Sequence, residues 1–146
     1  MGLRRDFGVI VRAEGVTVAT LAAAKPDLEA HRKATTAPLP QVVDALVSLI
    51  GRKLIAYIAS IKDARAIERW SHGSTPQKDV ERRIRLTYHV AAMLAQFDTP
   101  AVVQAWLIGL NPELEDQVPI GLLREGDIES DGKRVLSAAR AFVAGG

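Results

Sequence analysis

Histidine is the side chain whose proton transfers are tuned to neutral pH, and the chain carries three, His31, His72 and His89. A nucleophile needs a base and an orienting group beside it, yet there is neither a Gly-x-Ser-x-Gly elbow nor a His-Glu-x-x-His pair. His72 follows a short helix, where it is either solvated or a phosphate contact; His89 is expected on the polar side of a long helix; His31 is read as inert. Phosphate-cradling glycine loops of the Gly-x-x-x-x-Gly-Lys-Ser/Thr or Gly-x-Gly-x-x-Gly type are absent from the sequence. With no cysteine in 146 residues, disulfide frameworks, thiolate zinc sites, iron–sulfur centres and thiol nucleophiles are excluded. Asp127-Ile-Glu129-Ser-Asp131-Gly132 approximates the start of an EF-hand loop, but Ala138 stands where the bidentate Glu must be. That run is read as a helix cap with solvated charge. We expect no catalytic residue, no metal ligand, no cofactor and no enzyme activity.

The basic side chains are better placed for chemistry, namely the binding of a polyanion. Net charge is only +2, but residues 41–97 carry nine Lys/Arg against five Asp/Glu, whereas residues 98–146 carry four against eight. The middle is basic and the end acidic. Residues 52–72 read as a support helix, a short turn and a second helix, the arrangement that lays a recognition helix in a DNA major groove. Arg65 and Arg69 stand one turn apart on its outer face, Lys62 precedes it, and Lys78, Arg82 and Arg85 form a second stripe on the next helix. These six are the candidate DNA-binding residues. Glu68 between the two arginines repels phosphate, and Glu81 can pair with Arg85 at i, i+4, so a merely solvated face is the competing reading.

The elements that must hold these residues are helical. Hydrophobic residues make up 48% and charged residues 25%, a globular composition. Phe7–Val11 and Val16–Thr20, flanking Arg-Ala-Glu-Gly, resemble two short strands; Lys25–Lys33 can form a helix that Thr35-Thr-Ala-Pro-Leu-Pro40 breaks. Val42, Val43, Leu46, Leu49 and Ile50 then follow helical spacing until Gly51, a second short helix covers Arg52–Ser60, and Asp63 caps a third that buries Ala66, Ile67 and Trp70. Thr75-Pro76 opens the longest helix, with Val80, Ile84, Thr87, Tyr88, Ala91, Leu94 and Phe97 inward. Thr99-Pro100 starts a helix through Trp106 that closes at Gly109, Asn111-Pro112 is a turn, and Pro119–Arg124 is a short helix. Ser130-Asp131 caps a last helix burying Val135, Leu136, Ala139, Phe142 and Val143. The expected fold is all-α, with residues 1–38 an N-terminal extension that is either a short hairpin or a disordered arm, 39–97 a helix-turn-helix domain and 98–146 a small helical domain. Arg12 and Glu14 interrupt the early apolar stretch, so neither an export signal nor a membrane anchor is expected.

Trp106-Leu-Ile-Gly-Leu-Asn111-Pro112-Glu-Leu114, followed by Pro119-Ile-Gly-Leu-Leu123, strongly resembles the C-terminal toxin-binding domain of the Xre/MbcA/ParS antitoxins of RES-Xre toxin–antitoxin systems. Arg52–Leu94 looks like that family's Xre-type helix-turn-helix, and the first 40 residues lie outside the likeness. The resemblance implies a cytoplasmic antitoxin, oligomeric with its toxin, that blocks a RES-domain enzyme which destroys cellular NAD and that also represses its own operon. It implies toxin contact along 123–146, with Arg140, Phe142 and the Gly145-Gly146 end as contact residues and Glu125, Asp127 and Glu129 facing a basic NAD-binding cleft. Trp106, Leu114, Leu122 and Leu123 are read as internal core. The recognition helix departs from the pattern, since Glu68, Ala64 and Ala66 leave few base-reading groups. A stand-alone helix-turn-helix regulator is the alternative function.

Overall fold

The computed structural model describes residues 12–13 and 16–145, with side chains from residue 27 onward. The fold is all-α, apart from a two-residue antiparallel pairing of β1 (Arg12–Ala13) with β2 (Val16–Thr17). Among the described residues seven helices follow: α1 (Val18–Thr36), α2 (Leu39–Ala59), α3 (Arg65–Ser71), α4 (Lys78–Ala95), α5 (Pro100–Ile108), α6 (Pro119–Glu125) and α7 (Ser130–Gly145), with a 3-10 turn at Pro112–Leu114. The N-terminal expectation needs correction. The second strand stops at Thr17, where α1 begins, and β1 falls inside the expected turn; Phe7–Val11 lies outside the described residues. The Lys25–Lys33 helix is the later part of the longer α1, which packs along α4.

Gly51 interrupts α2 as its position suggests. At φ 83° and ψ 163° it adopts a backbone that side-chain-bearing residues rarely take, and the helix continues beyond it in a new run. A break in a helix strips carbonyls of their partners. Gln104 of α5 reaches across, its Nε2 donating to the Leu49 carbonyl at 3.1 Å, and so ties α5 to the kink.

α4 is the central element, packed by α1, α2, α5, α6 and α7. An amphipathic stripe is not enough for a helix surrounded in this way, and its C-terminal half is buried nearly all round: His89, Val90, Ala91, Ala92, Met93 and Leu94. His89 is therefore corrected from the polar side to the interior, at 6% exposure, because α1 covers that side. Phe97 is likewise corrected: α4 ends at Ala95, the helical period ends with it, and the ring is 50% exposed. The start also differs, since α4 begins at Lys78 after Gln77 with no side-chain cap rather than at Thr75-Pro76.

Two arginines of α4 cap neighbouring helices. Arg85 Nη1 donates to the carbonyls of Ala34 (2.9 Å) and Ala37 (2.8 Å) where α1 ends, while its Nε pairs with Glu81. Arg83 Nη1 donates to the Leu123 carbonyl of α6 at 3.0 Å, with its Nε on Asp79 at 2.9 Å. Each places a cation against carbonyls near the negative end of a helix, which charge and hydrogen bonding both favour.

Candidate functional site

The basic candidates cluster at the short helix α3 and at the start of α4. Asp63 Oδ1 accepts the Arg65 backbone N–H at 2.9 Å, and the same carboxylate pairs with the Arg65 side chain at 3.0 Å. The Arg65 hydrogen bonds hold the Asp63 carboxyl below its ordinary range, and Asp63 in turn raises Arg65. The N-cap position of α3 is Ala64, not the expected Asp63, and the Asp63 carboxylate before it offsets one of the helix's outward charges. Lys62, Arg69 and Lys78 are exposed and have no ion-pair partner among the described residues, and Glu68 is exposed beside Arg69. His72 closes α3, its Nδ1 2.8 Å from the Glu68 carbonyl, a geometry that makes that nitrogen the donor. Ala66, Ile67 and Trp70 are buried as their spacing requires.

Arg82 and Arg85 are occupied otherwise. Arg82 Nη2 lies 2.9 Å from Glu129 Oε2, so a candidate for phosphate and a candidate for a basic toxin cleft neutralise one another between α4 and the loop that leads into α7. Arg85 is engaged with Glu81 and the end of α1.

The C-terminal surface is built by a series of stops and starts. Thr99 accepts from the Val102 N–H and Pro100 occupies the first turn, so α5 begins as its sequence suggests. After Gly109 the chain folds into a closed loop: Asn111 Oδ1 accepts from the Glu113 N–H at 2.9 Å, the Asn111 N–H donates to Gln117 O, and the Asp116 N–H donates to Asn111 O. Leu114 is fully buried beneath it and Asn111 is 7% exposed, so the Asn-Pro pair is structural. Asp127 accepts from both the backbone N–H (2.8 Å) and hydroxyl (2.9 Å) of Ser130, while Asp131 accepts the Asp127 N–H at 2.8 Å. This reciprocal cap starts α7, and the Ser130 hydrogen bonds pull the Asp127 carboxyl down.

Along α7, Val135, Ala138 and Ala139 are buried, Leu136 and Val143 partly so. Phe142 is corrected from core to half-exposed, at 36%, because it lies at the outer end of α7 with its ring tilted over Trp106 at a centroid distance of 6.4 Å. Trp106 and Leu123 are buried and Leu122 is partly buried. Arg140 turns away from this end: its Nε donates to Asp27 Oδ2 of α1 at 2.7 Å, and His89 Nε2 lies 2.9 Å from Asp27 Oδ1. Glu125 is exposed, 3.6 Å from the Arg124 guanidinium, which stacks over Tyr57. Gly145 ends α7, and Gly146 lies outside the described residues.

Trp106, Leu110, Pro112, Glu113, Ala138 and Phe142 line a cavity of about 340 Å³ between the loop and α7. Leu110 is 73% exposed at its lip. Sequence reasoning did not single it out, although an apolar residue immediately before an Asn-Pro turn, off any helical stripe, is itself a signal. A second cleft, of about 390 Å³, lies between α1, α4 and α7 and includes His31, Leu86, Ile128 and Leu136. Among the described residues no cluster of acidic and histidine side chains is arranged to hold a metal ion, and no helix is long and apolar enough to cross a membrane. No protein-family model, curated protein or solved structure matches the chain.

Proposed function

We propose that this protein is an antitoxin: it binds a RES-domain, NAD-degrading toxin through the surface of residues 98–146 and blocks it. The observation that carries the reading is the pairing of the family-like Trp106–Leu123 segment with an exposed apolar face, where Leu110 and Phe142, both exposed, line a cavity together with Trp106. Exposed large side chains around a concavity mark interaction surfaces more often than chance. The protein acts by occlusion and supplies no reacting group. Cellular NAD measured after induction of the toxin gene beside it, with and without this chain, tests the reading. NAD collapse that is reversed by co-expression, with copurification of the pair, supports it; unchanged NAD and no complex overturn it.

A second reading, operon repression through α3, is favoured by the exposed Lys62, Arg69 and Lys78. As Arg65, Arg82 and Arg85 have partners, a DNA footprint here rests on few free cations. Affinity is then expected to fall by roughly 0.9 log units per decade of salt for each phosphate contact, and a flat salt dependence in a mobility-shift titration would remove this function.

A further inference from the structure

The cavity between the Asn-Pro loop and α7 has a chemistry of its own. Its wall is mostly apolar, formed by Trp106, Leu110, Pro112, Ala138, Ala141 and Phe142, with Asn111 and a single carboxylate, Glu113, as its polar lining. Glu113 is exposed and has no ion-pair partner among the described residues. The cations nearby along the chain are turned elsewhere: Arg134 to Asp131 and Glu115, Arg140 to Asp27. The last described turn of α7 carries no basic residue, so no cation of that turn competes there with a partner's. At about 340 Å³ the cavity is at the small end of ligand pockets. It suits one large side chain rather than a cofactor.

We infer that this cavity is the docking point for one apolar side chain of the partner protein, flanked on the partner by Lys or Arg that meets Glu113 and the end of α7. The inference rests on the antitoxin reading and assigns it an anchor: the toxin inserts a side chain between Leu110 and Phe142 while its adjacent cation sits over Glu113. Burying Leu110 and Phe142 supplies the lasting contact; the carboxylate speeds and orients association. The anchor is thus distinct from the acidic run at 125–131, where Asp127 is used in the helix cap and Glu129 is paired with Arg82.

The test uses the full chain and the RES-domain protein encoded beside it, with binding kinetics recorded at low and high salt. Leu110→Ser should raise the dissociation rate at least tenfold, and Glu113→Lys should slow association severalfold at low salt with the deficit shrinking at high salt. Because Leu110 is 73% exposed, melting temperatures of both variants should stay at the parent's value, which separates lost contact from lost fold. Parent-like kinetics in both variants, with the parent binding the toxin, overturn the anchor and leave the antitoxin reading standing; no binding by the parent overturns both. A concentration-dependent dimer of the chain alone that Leu110→Ser dissolves would assign the cavity to a second copy and likewise overturn the inference.

Discussion

The Asp27 carboxylate joins three helices through two side chains, and its balance of effects sets a pH dependence. Burial raises its pKa, but hydrogen bonds from Arg140 and His89, with their charges, more than offset this and hold it below the ordinary 3.8. Burial pushes His89 below the ordinary imidazole value, against the opposing hydrogen bond and charge of Asp27, and the charges of His31 and Arg140 lower it further. The neutral ring therefore donates through Nε2 to the carboxylate. Below pH about 6.5 the unfolded chain takes up the imidazole proton before the folded one does. Stability present above that pH declines as pH falls through the interval beneath it, and Asp27 adds a further loss below about 3.8. Thermal melts should show a lower melting temperature at pH 5 than at pH 7.5, with a flatter slope in His89→Gln; a higher melting temperature at pH 5 would contradict the arrangement. None of this was legible in the sequence, because Asp27 and His89 are 62 positions apart and the period of α4 alone puts His89 off its main stripe. Arg85 illustrates the same limit: its spacing with Lys78 and Arg82 is that of a solvated or phosphate-facing stripe, and only the arrival of α1 makes it a cap. Arg85→Ala should destabilise the fold by about 2 kcal/mol in denaturant titration, since charged donors to carbonyls contribute roughly 1.5–3 kcal/mol.

At the scale of elements, what punctuation residues do locally was readable and where helices meet was not. Gly51 as a break, Thr99-Pro100 as a start and the acidic cap before α7 follow from side-chain chemistry within a few residues, so a linear reading suffices. Thr75-Pro76 has the residue types of a helix start, but the chain enters α4 two residues later, and the expected strand Val16–Thr20 stops at Thr17 because so short an apolar run, Val-Thr-Val-Ala-Thr, is compatible with either strand or helix. Gly51→Ala follows from this scale. Open space surrounds the position, so no atom clashes, and the penalty is conformational alone. It should come to about 1–3 kcal/mol, measured by chemical denaturation, and a stabilised variant would mean that α2 tolerates straightening. Gly126 is the opposite case: a Cβ there would lie 2.6 Å from the Leu122 carbonyl and 2.7 Å from Asp131 Oδ2. Gly126→Ala should therefore lower the melting temperature by displacing the reciprocal cap of α7.

Across the whole molecule, the basic middle and the acidic end are not wholly separate, because Arg82 of the one pairs with Glu129 of the other, while Arg140 ties the acidic end to Asp27 of α1. α7 is held by α4, α6 and the 3-10 turn, and Gly132 brings it so near α4 that a Cβ would meet Leu86 at 3.0 Å. The segment that resembles a toxin-contact tail is thus also a strut of the fold. Removing residues 125–146 uncovers the faces of α4 and α6 that Val135, Ala138 and Ala139 pack against and opens one side of Trp106. Exposed apolar surface costs roughly 25 cal/mol per Å², against a folding stability that in a domain of this size is only about 5–15 kcal/mol. The truncated chain should lose its cooperative thermal transition by circular dichroism, and with it toxin and DNA binding together. A truncation that still melts cooperatively would show instead that α1–α6 form a self-sufficient unit on which α7 merely docks, and would make the tail separable from the body that presents α3.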